Sequence, residues 1–336
     1  MKLGVTLPGG EVLEAGRRAR EAEDLGASAV WSTEGAHNGF LPLAVAAEHT
    51  RRVRLGTAVA VAFGRSPLVF AHLAWDLHEA SGARFILGLG TQVKAHVERR
   101  YSVPWDSPGP KLRDGILAIR AIWRSWQERG PLDYRGRFYT FTLMTPAFSP
   151  APLGTPPPRV YISAVNRYNC RLVGELCDGM HVHPFHSPRD LRERVLPEIE
   201  TGLKASRRSR SQIELVVPVF VITGRTAEER RAAREGVRRR LAFYASTRTY
   251  RPVLDTHGWG DLAERLHARS LAGDWAAMAA EITDEMVSAY AIEAGPDELG
   301  AALRQRYEGL ADQVVPTPGG EHRWTPELFR AVAKAF

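Results

Sequence analysis

One rhythm constrains this chain more than any count of residue types. A short apolar run is followed by a polar or glycine-bearing break and then by a stretch with helical spacing, and the pattern repeats eight times. Lys2 to Leu7 alternates as a strand. Val12, Ala15, Ala19, Ala22 and Leu25 then recur at helical spacing, and Gly26 stops the helix. Ala29 to Thr33 is a second strand with a loop at Glu34 to Gly39, and Leu41 to Thr50 is its helix. Val53 to Ala62 is a third strand, apolar enough for burial on both faces, followed by a helix over Pro67 to Ala80. Phe85 to Gly90 is the fourth, and Leu112, Ile116, Ile119, Trp123 and Trp126 mark the inner stripe of its helix.

The beat then breaks. Gly130 to Pro158 holds seven prolines and several aromatic residues, which predicts a long excursion with a hairpin. It resumes with strands at Arg159 to Ala164, Gly179 to Val182 and Ile213 to Thr223, with helices over Asn169 to Leu176 and Pro188 to Ala205 between them. Thr226-Ala-Glu-Glu229 is a capping box that opens a helix to about Ala245. A helical excursion covers Ser246 to Thr283. A helix from Asp297 to Tyr307, an eighth strand at Ala311 to Val315 and a helix at Pro326 to Ala335 close the chain.

Eight strand–helix beats predict an α/β protein, a (β/α)8 TIM barrel. It has insertions after helix 4 (about 130–158) and before strand 8 (about 246–283), and the expectation is one domain over 1–336. An open doubly wound sheet fits less well, because no Gly-x-Gly-x-x-Gly follows the first strand. In a barrel the functional site lies where strands end and loops begin. That selects Pro8-Gly9, Glu34 to Asn38, Ala58 to Phe63, Thr91 to His96, Ser163 to Arg167, His181 to His186, and Val221 to Gly224. The fourth of these is the most pointed: a buried strand, Phe85 to Leu89, runs into Gly88 and Gly90 and then into Thr91, Gln92, Lys94 and His96, expected on a loop. Glycines there remove side chains where something comes close.

The chemistry on these strand ends is sparse. No Ser-His-Asp order, paired carboxylates or phosphate-binding glycine loop stands out. The nearest constellation is His181-Val-His-Pro-Phe-His186. Two imidazoles on one strand face suit a metal, contact with a bound cofactor or substrate, or ordinary strand-end hydrogen bonding. Barrel hydrolases that use such a pair add ligands on later strands, and none stands in the expected places, so no metal is expected. A mouth without strong acids, bases or metal ligands points to a cofactor that carries the chemistry. Ala58, Ala60, Gly88, Gly90, Ser163 and Ala164 are small enough to admit a flat ring.

Composition narrows the partners. A net charge of +7 favours an acidic ligand. The arginine runs at 207–210 and 230–240 carry no interleaved aromatic platform, so no nucleic-acid partner is expected. No apolar run approaches a membrane span. The opening stretch is broken too early for a signal peptide, and a cytoplasmic location is expected. Cys170 and Cys177 lie seven apart, too far along one helix for a disulfide, and read as small core residues.

Five segments carry a resemblance. They are Leu87-Gly-Leu-Gly-Thr-Gln-Val-Lys-Ala-His96, Leu143-Met-Thr-Pro146, His183-Pro-Phe-His186, Ala242-Phe-Tyr-Ala-Ser246 and His257-Gly-Trp-Gly-Asp261. In this order, over nearly the whole chain, they resemble the luciferase-like monooxygenase superfamily, in its deazaflavin (coenzyme F-420)-dependent oxidoreductase subgroup. The resemblance implies a barrel mouth that holds a flavin or deazaflavin against strands three and four. It implies a bulge ending strand three with a non-proline cis peptide, by position Ala58–Val59. Thr91 and Gln92 match the loop that meets the ring and its side chain. Ser163, Ala164, Val165 and Asn166 match the loop that holds the tail and phosphate at a helix start, Arg167 adds charge, and His183 is a further cofactor contact. Basic mouth residues suit the longer acidic tail of coenzyme F-420 better than that of FMN. Some sugar-phosphate dehydrogenases of this kind carry an acid followed directly by a catalytic histidine on strand two. Here Gly35 follows Glu34 and the next histidine is His37, so the match to that substrate breaks. Glu34 and His37 remain the candidates for proton transfer.

The implied activity is hydride transfer between a deazaflavin and a small organic substrate, under a lid made by one of the two excursions. The alternatives are an FMN-dependent monooxygenase served by a separate flavin reductase, and a non-catalytic flavin-binding barrel. Relatives of this kind imply a homodimer.

Overall fold

The computed structural model describes residues 1–7, 11–319 and 325–336. The candidates Pro8 and Gly9 lie outside them. Eight parallel strands form the barrel: β1 (Lys2–Thr6), β2 (Ala29–Ser32), β3 (Arg54–Thr57), β4 (Phe85–Gly90), β5 (Arg159–Ala164), β6 (Gly179–Val182), β7 (Glu214–Ile222) and β8 (Gln313–Pro318). Each pairs with the next, and β8 returns to β1 through Val314↔Leu3 and closes the ring.

The register follows from side-chain parity. Val30, Leu55, Phe85, Leu87, Val160, Ile162, Met180, Leu215 and Val217 face outward and share a core with the helices. Their alternates Ala29, Trp31, Ile86, Tyr161, Val216 and Val315 face inward and fill the barrel. A one-residue slip would exchange the two sets, and only the outward set is shaped for helix packing. All six residues of β4 are buried, as a strand covered on both faces requires. The expected helix stripe is also in place: Leu112, Ile116, Ile119, Trp123 and Trp126 are all buried on the helix Pro108–Glu128.

Four local readings change. The third strand is not continuous: β3 stops at Thr57, a cis peptide joins Ala58 to Val59, and a short piece, Ala60–Val61, pairs with β4. The cis bond stands where the resemblance put it. The loop expected after β4 contains a helix, Lys94–Arg99. A short strand, Ala291–Glu293, which the sequence did not reveal, adds to the end of β7. And the helix Ala227–Ala245 is not an ordinary outer helix. It packs with the helices Arg251–Asp255, Gly260–Leu271, Trp275–Ala280 and Asp284–Tyr290 in a separate core over Phe185, Phe220 and Ile222. This cap therefore begins earlier than Ser246. The seventh outer helix is Leu299–Tyr307, whose Leu299, Leu303 and Tyr307 join the barrel core.

The first excursion contains the expected hairpin, Tyr134–Arg135 with Thr140–Phe141. The Asp114 carboxylate accepts from Tyr134 Oη at 2.5 Å and from the N–H groups of Phe138 and Tyr139 at 2.7 and 3.0 Å. Gln127 pairs with both backbone groups of Leu153. These bonds strap the excursion along the outside of the helix Pro108–Glu128. The segment leaves that helix and enters β5 at the barrel end opposite the mouth.

Candidate active site

The C-terminal ends of β3 and β4 are built by close backbone approach. Thr57 Oγ1 donates to the Gly88 carbonyl at 2.7 Å and accepts the Gly88 N–H at 2.9 Å. A Cβ at Gly88 would lie 1.9 Å from the Thr57 carbonyl oxygen, and one at Gly90 would lie 2.5 Å from Val59 Cγ2. The two glycines thus admit the bulge of β3. This corrects the expectation that they stand clear for a ligand ring.

Glu34 is held, not free. One carboxylate oxygen accepts the Val61 N–H at 2.7 Å and Arg65 Nη1 at 3.0 Å, and the other pairs with Arg65 Nη2. The side chain is 5% exposed. Arg65 in turn lies over the rings of Phe40 and Phe70. His37 is exposed, and among the described residues no hydrogen bond joins it to Glu34. The structure does not assemble these two as a proton relay. It uses Glu34 to clamp the segment that follows the bulge.

Thr91 is half-buried and Gln92 exposed, with a left-handed backbone at φ 60°. The Gln92 side chain accepts the Val93 N–H at 3.0 Å. Arg100 then donates to His96 Nδ1 and to the Gly35 carbonyl, both at 3.1 Å, and links the loops after β4 and β2.

At the end of β5, Ser163 is half-buried and pairs in register with His181. Ala164 is buried and Val165 half-buried. Asn166 caps the helix Arg167–Leu176 by accepting the Asn169 N–H at 2.8 Å. The first helical turn leaves the N–H groups of Arg167 and Tyr168 without an intrahelical partner, as helix geometry dictates. Arg167 points its charge elsewhere, donating to Glu198 at 2.6 Å, where Arg171 also donates. Arg194 binds Asp190 and the Val165 carbonyl. Nothing in the residue pattern had marked Arg65, Arg194 or Glu198, because their partners come from distant elements.

The three histidines of the 181–186 segment separate. His181 faces into the barrel, edge-on to Trp31 at 4.5 Å. Among the described residues its Nε2, sealed from solvent, has no hydrogen-bond partner. His183 sits between Tyr244 and Tyr250, with ring centres at 4.8 and 4.4 Å. Its Nδ1 accepts the Phe185 N–H at 3.1 Å, which puts the proton on Nε2. His186 Nδ1 donates to the His183 carbonyl at 2.9 Å, and its Nε2 accepts from Tyr307 Oη at 3.0 Å. Burial pushes all three imidazoles down, to about 3 for His181 and His183 and about 4 for His186. The His-x-His pair does not converge. Among the described residues no group of three or more His, Cys, Asp or Glu could hold a metal. Cys170 and Cys177 are buried and free, their thiols pushed up to about 12 by burial.

A barrel with this mouth has known counterparts. The family model described as luciferase-like monooxygenase matches residues 2–313. The chain belongs to the luciferase-like monooxygenase family. Membership places it among oxidoreductases. An uncharacterized protein of Mycobacterium tuberculosis is 44% identical over 316 residues, 94% of this chain and 93% of the relative. The 5,10-methylenetetrahydromethanopterin reductase of Archaeoglobus fulgidus is 28% identical over 323 residues, 94% of this chain and 92% of its own length. Among solved structures, the coenzyme F-420-dependent tetrahydromethanopterin reductase of Methanopyrus kandleri superposes with a TM-score of 0.79. It shares 21% identity and covers 99% of this chain and 97% of its own, which speaks for the fold. No helix among the described residues is long and apolar enough to cross a membrane.

Proposed function

We propose that the protein is a coenzyme F-420-dependent oxidoreductase that exchanges a hydride with a small organic substrate. The observation that carries the reading is the end of β5. A half-buried Ser163 and small neighbours lead into an Asn166-capped helix whose first N–H groups are free of helical partners. A helix start of this kind suits a phosphate. Its setting also fits a cofactor that brings its own chemistry, because the acids and bases around it are committed to one another. Glu34 is clamped by Arg65, Asp190 by Arg194, and Glu198 by Arg167 and Arg171. Reductases among the relatives support the deazaflavin over FMN.

In this reading the backbone of Ser163, Ala164, Val165 and Asn166 and the first turn at Arg167 hold the phosphate and tail. Ala58, Val59, Thr91 and Gln92 border the ring. A bound deazaflavin supplies a two-electron hydride carrier that reacts poorly with oxygen. The protein's part is to orient it, to keep a neutral surface beside it and to exclude water. The test is titration of the purified protein with coenzyme F-420 and, separately, with FMN, followed by cofactor fluorescence. Saturable binding of coenzyme F-420 with FMN at least tenfold weaker is expected. A preference for FMN overturns the cofactor assignment and points to oxygen-dependent chemistry.

A further inference from the structure

The bulge that ends β3 turns one backbone group out of the ladder. The β3–β4 register stops at Gly56↔Ile86, and pairing with β4 resumes at Ala60↔Leu89. Residues 57–59 therefore stand opposite residues 87–88, with one extra residue on the β3 side. A regular ladder would give the Gly88 N–H a backbone carbonyl. It goes instead to Thr57 Oγ1 at 2.9 Å, and that hydroxyl donates to the Gly88 carbonyl at 2.7 Å. With its side chain in the ladder, the Thr57 carbonyl is turned onto the inward face of β4, 1.9 Å from where a Gly88 Cβ would stand. The same point lies 3.1 Å from His181 Cδ2. Thr57 on β3 and His181 on β6 come from strands that are not neighbours, and they meet over Gly88.

His181 is only 4% exposed, and Nε2, the nitrogen next to Cδ2, has no hydrogen-bond partner among the described residues. The polar atoms of the rings around it are engaged. Trp31, edge-on at 4.5 Å, donates its Nε1 hydrogen to Gln313, and Tyr161, at 5.6 Å, donates its hydroxyl hydrogen to Glu214. Burial keeps the imidazole neutral, so it carries a single N–H. The Thr57 carbonyl acts on this ring in the opposite sense and favours a proton there, as an acceptor within reach does. A buried carbonyl and a buried imidazole N–H each need a partner, and each is what the other lacks. Sealed from solvent, Nε2 touches no ligand. What it does for function passes through Thr57, which leads directly into Ala58 and Val59.

We infer that His181 is a positioning residue: its Nε2–H serves the inward-turned Thr57 carbonyl and so sets the bulge at Ala58 and Val59 against which the cofactor ring rests. The part played toward the cofactor rests on the coenzyme F-420 reading above; the contact between His181 and Thr57 does not. The pair stands short of full hydrogen-bond geometry, and rotation of the ring or of the peptide closes it. An extra residue in one strand leaves the direction of its peptide groups open, because the ladder no longer dictates it. The donor on β6 supplies the missing constraint. Without it the Thr57 carbonyl is free to turn, and Ala58 and Val59 turn with it.

The test joins heteronuclear NMR of the full-length protein, carrying isotope-labelled histidine, to titration of variants with coenzyme F-420. The His181 signals, assigned by their loss in His181→Phe, should show a neutral ring with its hydrogen on Nε2. An Nδ1–H tautomer or an imidazolium at neutral pH overturns the inference, whether or not coenzyme F-420 binds. His181→Phe keeps a ring and removes the donor, and His181→Gln returns an amide N–H near the place of Nε2. Coenzyme F-420 affinity should fall about tenfold in His181→Phe and return to within about twofold of the wild type in His181→Gln. Should His181→Phe fail to fold, His181→Leu provides a second donor deletion. Unchanged affinity in the donor deletions overturns the inference. So does an equal loss in His181→Gln, which would mean that any change to the barrel interior has the same effect. An Nε2–H tautomer in a protein that binds no coenzyme F-420 supports the contact and defeats the cofactor reading alone. Tight coenzyme F-420 binding with an Nδ1–H tautomer defeats the contact alone.

Discussion

At the N-terminal end of the barrel, the first residues of β3, β5 and β7 meet in one ionic knot. Glu214 accepts from both Arg54 amino groups at 2.5 and 2.6 Å, from Tyr161 Oη at 2.8 Å and from Arg159 at 3.4 Å. Burial pushes its carboxyl up, but the bonds and charge of Arg54 outweigh this and hold it at about 2. At the C-terminal end the picture reverses. The imidazoles are neutral, and donor groups at Tyr244, Tyr250 and His183 have no partner among the described residues. The N-terminal ends of β3, β5 and β7 thus meet in saturated charge, whereas neutral polar groups collect past the end of β6 and in the cap beside it. One end is closed by its own bonds.

Three experiments test that division. The largest effect should come from Arg54→Ala, which takes both guanidinium bonds from a buried carboxylate and leaves it Tyr161 and the longer Arg159 contact. Breaking such a pair costs about 3–5 kcal/mol, readable in urea denaturation. The folded fraction should bind coenzyme F-420 with unchanged affinity. A large loss of affinity would mean that the two ends are coupled. Gly88→Ala should cost roughly 2–3 kcal/mol by overpacking, since its methyl meets the Thr57 carbonyl. Unlike Arg54→Ala, it should also weaken coenzyme F-420, because the displaced backbone is the mouth itself. Stability loss with intact cofactor affinity would show that the bulge does not border the cofactor.

Acidification to pH 6 gives the smallest step per residue and separates the ends by pH. His181, His183 and His186 have folded pKa values pushed below the ordinary 6.5, so their contribution is present above that value and is lost as pH falls toward 4 and 3. By pH 6 each should already cost roughly 1 kcal/mol. Glu214 behaves likewise but lower: its contribution is full above about 4.5 and is lost as pH falls through about 2. Denaturant midpoints should therefore decline from pH 6.5, with His183→Phe flattening the first part. Stability that stays level down to pH 4.5 would contradict the buried neutral imidazoles.

Much of this was readable in the residues. The apolar alternation of β4 and β7 and the stripe from Leu112 to Trp126 made the barrel legible, because burial on a strand or helix has a fixed period. The naming of Glu34 and His37 as proton-transfer candidates was drawn from the resemblance at the second strand. It gave way because a carboxylate follows the nearest guanidinium in space, and Arg65 lies a whole element away. Gly88 and Gly90 were correctly read as sites of close approach, but the approaching atoms belong to Thr57 and Val59.

By itself, then, the sequence determined the alternation of strands and helices and the parity of each strand. These depend on local periodicity and on which faces exclude water. The tertiary structure decided which charges cancel, which tautomers the histidines hold and that two tyrosines of the cap stand beside His183. Those depend on distances between segments far apart in the chain, and no local pattern encodes them.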